Sequence, residues 1–523
     1  SQDVALTGQF GLGFNTAYTV TDYPSFATGD LIRCFDPFDD AVSETTGDHG
    51  RQWKLSELWR KWPEWPLAFG IMRDKACPNR TIFRLPLRLE GQTGPERLSR
   101  KPFTLAETQK VIEEVKDFGS ALLLFTRSVI HLTIVERDEL GNERILHDLR
   151  TTNTSTVQKA RASLSLPDVD EHSQLFDMWR ANPHCGPWQV FQHHIRVSGS
   201  IEARQECWLV GQGYEAGDAG ELIEAAENML AIGQHAVPRV GIAIQMRGSS
   251  KGIGPAPCSG HIFCTLPLPD GSGLPFHVNA FVSLNTSRTH PVHTQSVGDA
   301  AVRAQWNEAL LAHAVPSIAK RVFETLLNED AQFEAESFYE TWPDLSILGH
   351  EYLRRLGRGV LMTISRLPSI RVRKGGEYHW RSPDEVNLAP SNWTASLRND
   401  LAADGLTLPA PHLRQRVLLS LQEINAKPSV YSASQVRDWL RAQTVEECDY
   451  QTATLRCLRK KEHIRHLLGY LQDANPKCLD GLPLSLRRSG LLRHFGVKAV
   501  LVADWSLHSL VPQRPEWFLE EEL

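Results

Sequence analysis

The chain has 523 residues, 41% hydrophobic and 23% charged, with a net charge of −6. That length exceeds one ordinary hydrophobic core and predicts roughly two to four domains of about 150 residues each, while the composition excludes disordered and collagen-like chains. The acidic balance argues against a dedicated nucleic-acid surface, and the longest apolar run, near Ala121-Leu122-Leu123-Leu124-Phe125, falls far short of the ~20 residues of a membrane-crossing helix.

The first element is Thr7-Gly8-Gln9-Phe10-Gly11-Leu12-Gly13-Phe14-Asn15, a glycine-rich turn running into a short helix near 14–20. Glycines spaced so that backbone N–H groups approach an anion, followed by a helix start, suit a phosphate cradle. The order is neither that of a Walker loop nor of the strand-linked dinucleotide fingerprint, and an ordinary tight turn satisfies the same residues. Strands follow near 31–35 and 82–87, with Trp53, Trp59, Trp62 and Trp65 between them expected to pack on the sheet. Gly91-Gln92-Thr93-Gly94-Pro95 reads as a linker.

Thr104-Leu105-Ala106-Glu107 is a capping box, and the helix behind it puts Val111, Ile112, Val115 and Phe118 on one side, the side expected to sit on a sheet. Strands are expected near 128–136, 144–149, 189–197, 205–210, 240–245 and 262–266, with a helix over 220–230. Phe276, Val278, Ala280, Val282 and Leu284 then alternate with His277, Asn279, Phe281 and Ser283, which predicts one buried and one largely polar face. Beyond Val302 a long helical pattern meets Pro316, which should kink or divide it. The remainder mixes helices near 413–424, 433–442 and 453–471 with short strands near 370–372 and 498–502.

Several of these residues together resemble a known family. Gly8-Gln9-Phe10-Gly11-Leu12-Gly13-Phe14 looks like the last glycine motif of the split-sheet GHKL ATPases, the group that includes gyrase and the ninety-kilodalton heat-shock chaperones. Phe35-Asp36-Pro37, Asn79-Arg80-Thr81-Ile82-Phe83-Arg84-Leu85-Pro86-Leu87-Arg88, Leu266-Pro267-Leu268-Pro269 and Gly273-Leu274-Pro275-Phe276-His277-Val278-Asn279-Ala280-Phe281 narrow the likeness to the sacsin-type repeat. Leu510-Val511-Pro512-Gln513 with Phe518-Leu519 is similar to the end of that repeat. The resemblance implies an α/β chain: the rear half of a GHKL-type sandwich over 1–95, an α/β middle domain over 96–328 and a helix-rich, mixed C-terminal domain over 329–523. It also implies ATP and Mg²⁺ as cofactors of the complete fold. The implied work is protein folding and quality control on protein clients or beside other heat-shock chaperones, with further copies of the repeat in a parent protein.

On that resemblance, Gly8, Gln9, Phe10, Gly11, Gly13 and Phe14 would face the phosphates through backbone N–H groups. Thr81 matches the position supporting the adenine-reading Asp, and it also suits a plain strand. Arg84 and Arg88 would meet phosphate or a domain interface, or else be solvated or ion-paired. The catalytic Glu, the Mg²⁺-binding Asn and the adenine-reading Asp of the family lie ahead of the glycine motif. The start of this chain, without an initiator methionine or a leader pattern, reads as a cut edge. No catalytic residue is therefore identified, and the chain alone is expected neither to hold ATP tightly nor to hydrolyse it. A degenerate, non-hydrolysing scaffold is the alternative, with a DNA-repair or kinase-type GHKL enzyme third.

Other constellations read as structural. Gly248-Ser249-Ser250-Lys251-Gly252-Ile253-Gly254 lacks P-loop order and suits a hairpin. His193 and His194 are neighbours in a strand and point to opposite faces. Cys448, Cys457, His463 and His466 have no zinc spacing, so no metal site is expected. Nine cysteines without paired spacing fit reduced thiols in the cytoplasm.

Overall fold

A computed structural model of the chain describes residues 14–42, 49–71, 77–164, 166, 172–199, 203–217, 220–234, 236–249, 252–293, 297–328, 333–411, 413, 415–443, 445–474, 479, 481–487 and 490–495. Helices and strands mix in several sheets, the α/β class the sequence implies. Two units emerge. One takes in the described part of Ser1–Leu122 with Leu132–Leu149, and the other most of the rest.

In the first unit a 3-10 turn, Phe14–Thr19, leads to β1 (Ser25–Gly29), β2 (Leu31–Phe35), β3 (Gly50–Lys54) and β4 (Cys77–Arg84), an antiparallel sheet ordered β3-β2-β1-β4. Alternation sends Ala27, Ile32, Cys34 and Trp53 to one face, where Leu55 and Leu58 of α1 (Leu55–Lys61) and the residues around α2 (Glu64–Ala68) bury them. Trp53 and Trp65 meet edge to face at 5.4 Å between ring centroids, the expected packing role. The carboxylate of Asp36 is buried and accepts from the backbone N–H groups of Ala41 (2.9 Å) and Val42 (2.8 Å), so Phe35-Asp36-Pro37 closes a turn.

The capping box forms as read: Thr104 Oγ1 accepts from Glu107 N at 3.2 Å, and Glu107 Oε2 accepts from Thr104 N at 2.6 Å, opening α3 (Leu105–Phe118). The side expected to sit on a sheet is covered only in part: Ile112, Val115 and Phe118 are half-buried, and Val111 is exposed. A hairpin of β5 (His131–Arg137) and β6 (Glu143–Thr151) is laced by Arg137–Glu143 and Arg144–Glu136 ion pairs.

The second unit contains α4 (Thr154–Ala162), α5 (His172–Ala181), β7 (Trp188–Gly199), β8 (Arg204–Tyr214), α6 (Glu221–Ala231), β9 (Arg239–Ser249), β10 (Gly252–Ala256), β11 (His261–Cys264), β12 (Leu266–Gly271) and β13 (His277–Ala280). The strands run β12-β11-β13-β9-β8-β7, with β10 folded back on β9 and only the β11–β13 pair parallel among these pairings. The long helical pattern resolves into α7 (Asp299–Ala309), a π-helical turn at Leu310–Ala314 and α8 (Val315–Leu326), whose second residue is Pro316. Proline cannot donate to the preceding turn, so the division falls where the sequence places it. Val322 of α8 lies on Gly211 of β8 so closely that a Cβ there would sit 2.3 Å from Cγ2.

Both faces of β13 are buried, His277 and Asn279 included. One of them is the largely polar face that the alternation predicts, with the His277 ring 5.2 Å from Trp208 and 5.2 Å from Phe263 between centroids. The polar side chains are satisfied internally: His277 Nδ1 accepts from His261 N at 3.1 Å and Asn279 Oδ1 from Thr265 N at 2.9 Å.

After α9 (Ala335–Glu340) and α10 (Glu351–Ser365), small sheets alternate with helices. The hairpin of β14 (Ile370–Lys374) and β15 (Glu377–Arg381) comes first. A further core gathers around Leu397 and Leu401 of one helix, Val436 and Leu440 of a second, and Ile464, Leu467 and Leu471 of a third. The expected strand over 498–502 lies outside the described residues.

Candidate functional site

Of the residues that the sequence singles out, Gly8, Gln9, Phe10, Gly11 and Gly13 lie outside the described residues. Phe14 opens the 3-10 turn ahead of β1. Thr81 stands on β4 directly opposite Thr28 of β1, and the two exposed hydroxyls are 3.2 Å apart, one donating to the other. Arg84 is exposed at the end of the same strand, and its carbonyl accepts from Ser25 Oγ at 3.3 Å. Thr81 and Arg84 thus sit on one short stretch of strand with their polar ends toward solvent.

Arg88 is different. The strand stops at Arg84, so Arg88 does not continue its face; it turns inward and is 2% exposed. Its Nε donates to Asp22 Oδ1 at 2.6 Å, Nη1 to the Thr19 carbonyl at 3.2 Å and Nη2 to the Tyr18 carbonyl at 2.5 Å. Its own backbone is tied as well, N–H to the Val20 carbonyl and C=O to the Phe103 N–H. A guanidinium bound this way fastens the segment after the 3-10 turn to the segment after β4. Sequence reading allows an ion-paired role for Arg88 but does not reveal Asp22, since 66 residues separate the two.

Above the sheet face opposite the Trp-rich layer lies an aromatic group that residue spacing alone does not reveal. Phe14, Phe26, Phe35 and Phe83 cluster, with centroids 4.8 Å apart for Phe14–Phe35 and 5.9 Å for Phe26–Phe83. Phe14, Phe26 and Phe35 are half-buried, and Phe83 is 57% exposed. Beneath them, burial first and then the Asp36 charge push the Cys34 thiol up to about 11, with Arg84 opposing, so this cysteine is protonated and unreactive at neutral pH.

Several other titratable groups serve the fold. His193 is fully buried with Nε2 2.9 Å from Thr151 Oγ1, and burial, with Arg161 and His194 adding, holds its pKa down to about 3. Burial, then the neighbouring His261, does the same to His277, also to about 3. Cys457 is buried and its backbone N–H donates to Asp404 Oδ2 at 2.8 Å, while His463 Nδ1 lies 3.3 Å from Asp400. Among the described residues no three His, Cys, Asp or Glu side chains converge as a metal site, and no helix is long and apolar enough to cross a membrane.

Residues 1–147, which carry Arg88 and the aromatic face, match a family model described as the Sacsin domain. The chain is 28% identical over 353 residues to sacsin of Homo sapiens, an alignment covering 65% of this chain and 7% of that protein. The chain therefore spans a small fraction of the length of the curated relative it matches.

Proposed function

Because the chain carries a sacsin-type repeat, we propose that it works as a sacsin-like chaperone or co-chaperone module that holds apolar segments of unfolded protein clients. It does so without hydrolysing ATP. The observation that carries this reading is the open aromatic face of Phe14, Phe26, Phe35 and Phe83. Flat rings with accessible area bind apolar side chains without demanding a particular sequence. Covering about 100 Å² of the exposed Phe83 ring is worth ~2.5 kcal/mol, and the half-buried rings beside it each add a fraction of that, partly offset by the cost of association, which suits weak, exchangeable holding of a client.

Among the described residues, those that the GHKL likeness offers for ATP and Mg²⁺ do not make a complete fit. Arg88 would have to abandon a buried carboxylate to reach a phosphate, leaving Thr81 and Arg84 exposed on one strand. Backbone donors at a helix start add only ~1 kcal/mol at an exposed site. The same observation favours a second reading, a protein-binding scaffold whose nucleotide pocket is degenerate. Work in the cytoplasm beside other heat-shock chaperones belongs to the same proposal.

Light scattering of a heat-denatured model enzyme tests the first reading. The chain is expected to suppress aggregation at near-stoichiometric ratios, and F26S/F83S to lose most of that effect while keeping its circular dichroism. Equal suppression by the variant would remove the aromatic face from the function.

A further inference from the structure

A second site lies on the sheet of the other unit. In register, His194 of β7 pairs with Cys207 of β8, and Cys207 pairs with Met246 of β9. Residues paired across antiparallel strands project to the same face with Cβ atoms ~4.5–5.5 Å apart, so an imidazole, a thiol and a thioether form one row. Cys207 Sγ lies 3.7 Å from His194 Nε2. Metal bonds of ~2.0–2.1 Å to nitrogen and ~2.3 Å to sulfur separate two ligands of one trigonal ion by about 3.8 Å. All three side chains are half-buried and line one cavity of about 600 Å³. Met, with three rotatable bonds, has the reach to close the set.

The donor set selects the ion. A thiol and a thioether beside one imidazole suit a soft monovalent metal and not Mg²⁺ or Ca²⁺. The carboxylate on the cavity wall, Glu206, is engaged with Arg204 Nε at 2.7 Å. Arg204 and Arg247 also line the cavity, which disfavours a divalent cation, whereas one Cu⁺ on one thiolate is neutral.

We propose that His194, Cys207 and Met246 bind one Cu(I) ion in a trigonal N,S,S site. Binding releases the thiol proton to solvent and needs no change in the oxidation state of the copper. Backbone and ring are both held: the His194 backbone N–H donates to Asn153 Oδ1 at 3.0 Å, and Gln205 Nε2 stands 3.3 Å from His194 Nδ1. With metal bound, the Gln205 amide turns so that its oxygen accepts from Nδ1–H, freeing Nε2 from its 3.1 Å contact with Gln192 Oε1.

The test reads labelling by iodoacetamide cysteine by cysteine, by mass spectrometry, on the full reduced chain under argon, with Cu(I) delivered from a weak chelator. One equivalent is expected to slow labelling of Cys207 at least tenfold and leave exposed Cys185 unchanged. H194Q and M246L, each conservative in volume, should return Cys207 to within twofold of its metal-free rate, with buried Cys457 remaining unlabelled as the check on folding; H194N and M246I serve if either exposes Cys457. Unchanged labelling of Cys207 with Cu(I), uniform slowing of every thiol, or protection that survives in H194Q/M246L would overturn the site.

Discussion

Replacing Arg88 with methionine strands the Asp22 carboxylate in the interior. Arg88 is 2% and Asp22 1% exposed, and among the described residues Asp22 Oδ2 has no hydrogen-bond partner even in the intact pair. The substitution removes the 2.6 Å bond to Oδ1 and the donors to the Thr19 and Tyr18 carbonyls. Breaking a buried pair from one side costs about 3–5 kcal/mol, because desolvation of the remaining charge is no longer offset. The open population of this sheet should rise by roughly two to nearly four orders of magnitude (about 1.36 kcal/mol per decade). Two units need not unfold together, so the assay is native-state hydrogen exchange at the amides of β1 and β4 rather than a single melting curve. D22N/R88M, which removes both charges, should recover all but about 1–2 kcal/mol. A loss below about 1 kcal/mol in R88M, or a double variant no better than the single, would refute the staple. An Arg88 whose work was gripping phosphate would show the reverse: intact exchange protection and weakened nucleotide binding.

Three further outcomes are expected. His193 and His277 are held neutral, near 3, against ~6.5 in the unfolded chain. The unfolded state therefore binds more protons between those values; their contribution is intact above about pH 6.5 and falls by about 2 kcal/mol per histidine by pH 5. Urea midpoints across pH 5–7.5 should show this, with a shallower slope in H193Q/H277Q; an unchanged slope would contradict it. Gly211→Ala drives a Cβ to 2.3 Å from Val322, an overpacking cost of about 1–3 kcal/mol that V322A should relieve and a stability assay of the pair would detect. Mg-ATP at millimolar concentration should leave the melting temperature unmoved, whereas true binding would add ~2.7 kcal/mol at a hundredfold excess over Kd.

What the sequence reveals and what it withholds follow from the reach of each signal. Thr104 and Glu107 cap a helix three residues apart, and the strand at Leu31–Phe35 declares itself by alternation within five residues. Pro316 acts on its own turn. Alternation in β13 correctly separates His277 and Asn279 from Val278 and Ala280, yet it cannot say that both faces are covered. Arg88 and Asp22, or His194, Cys207 and Met246, meet only through strand register and chain reversal. No local periodicity encodes such meetings.

The π-turn at Leu310–Ala314 has a consequence for what insertions and deletions this region tolerates. Such a turn is an α-helix carrying one surplus residue, and losing that residue would wind α7 into α8 as a single rod, rotated by about 100°. Trp306 and Asn307 would swing off the segment they clasp, where Trp306 Nε1 donates to the Phe281 carbonyl at 3.0 Å and Asn307 Nδ2 to the Ser283 carbonyl at 2.7 Å. A counter-rotation of α8 would not compensate, because Ile318 and Val322 are already fully buried in their own packing. The surplus residue is thus a phase adjuster that lets one continuous helical stretch serve two differently oriented surfaces, and an alanine inserted in α7 should be worse tolerated than one in the exposed hairpin after Asp138.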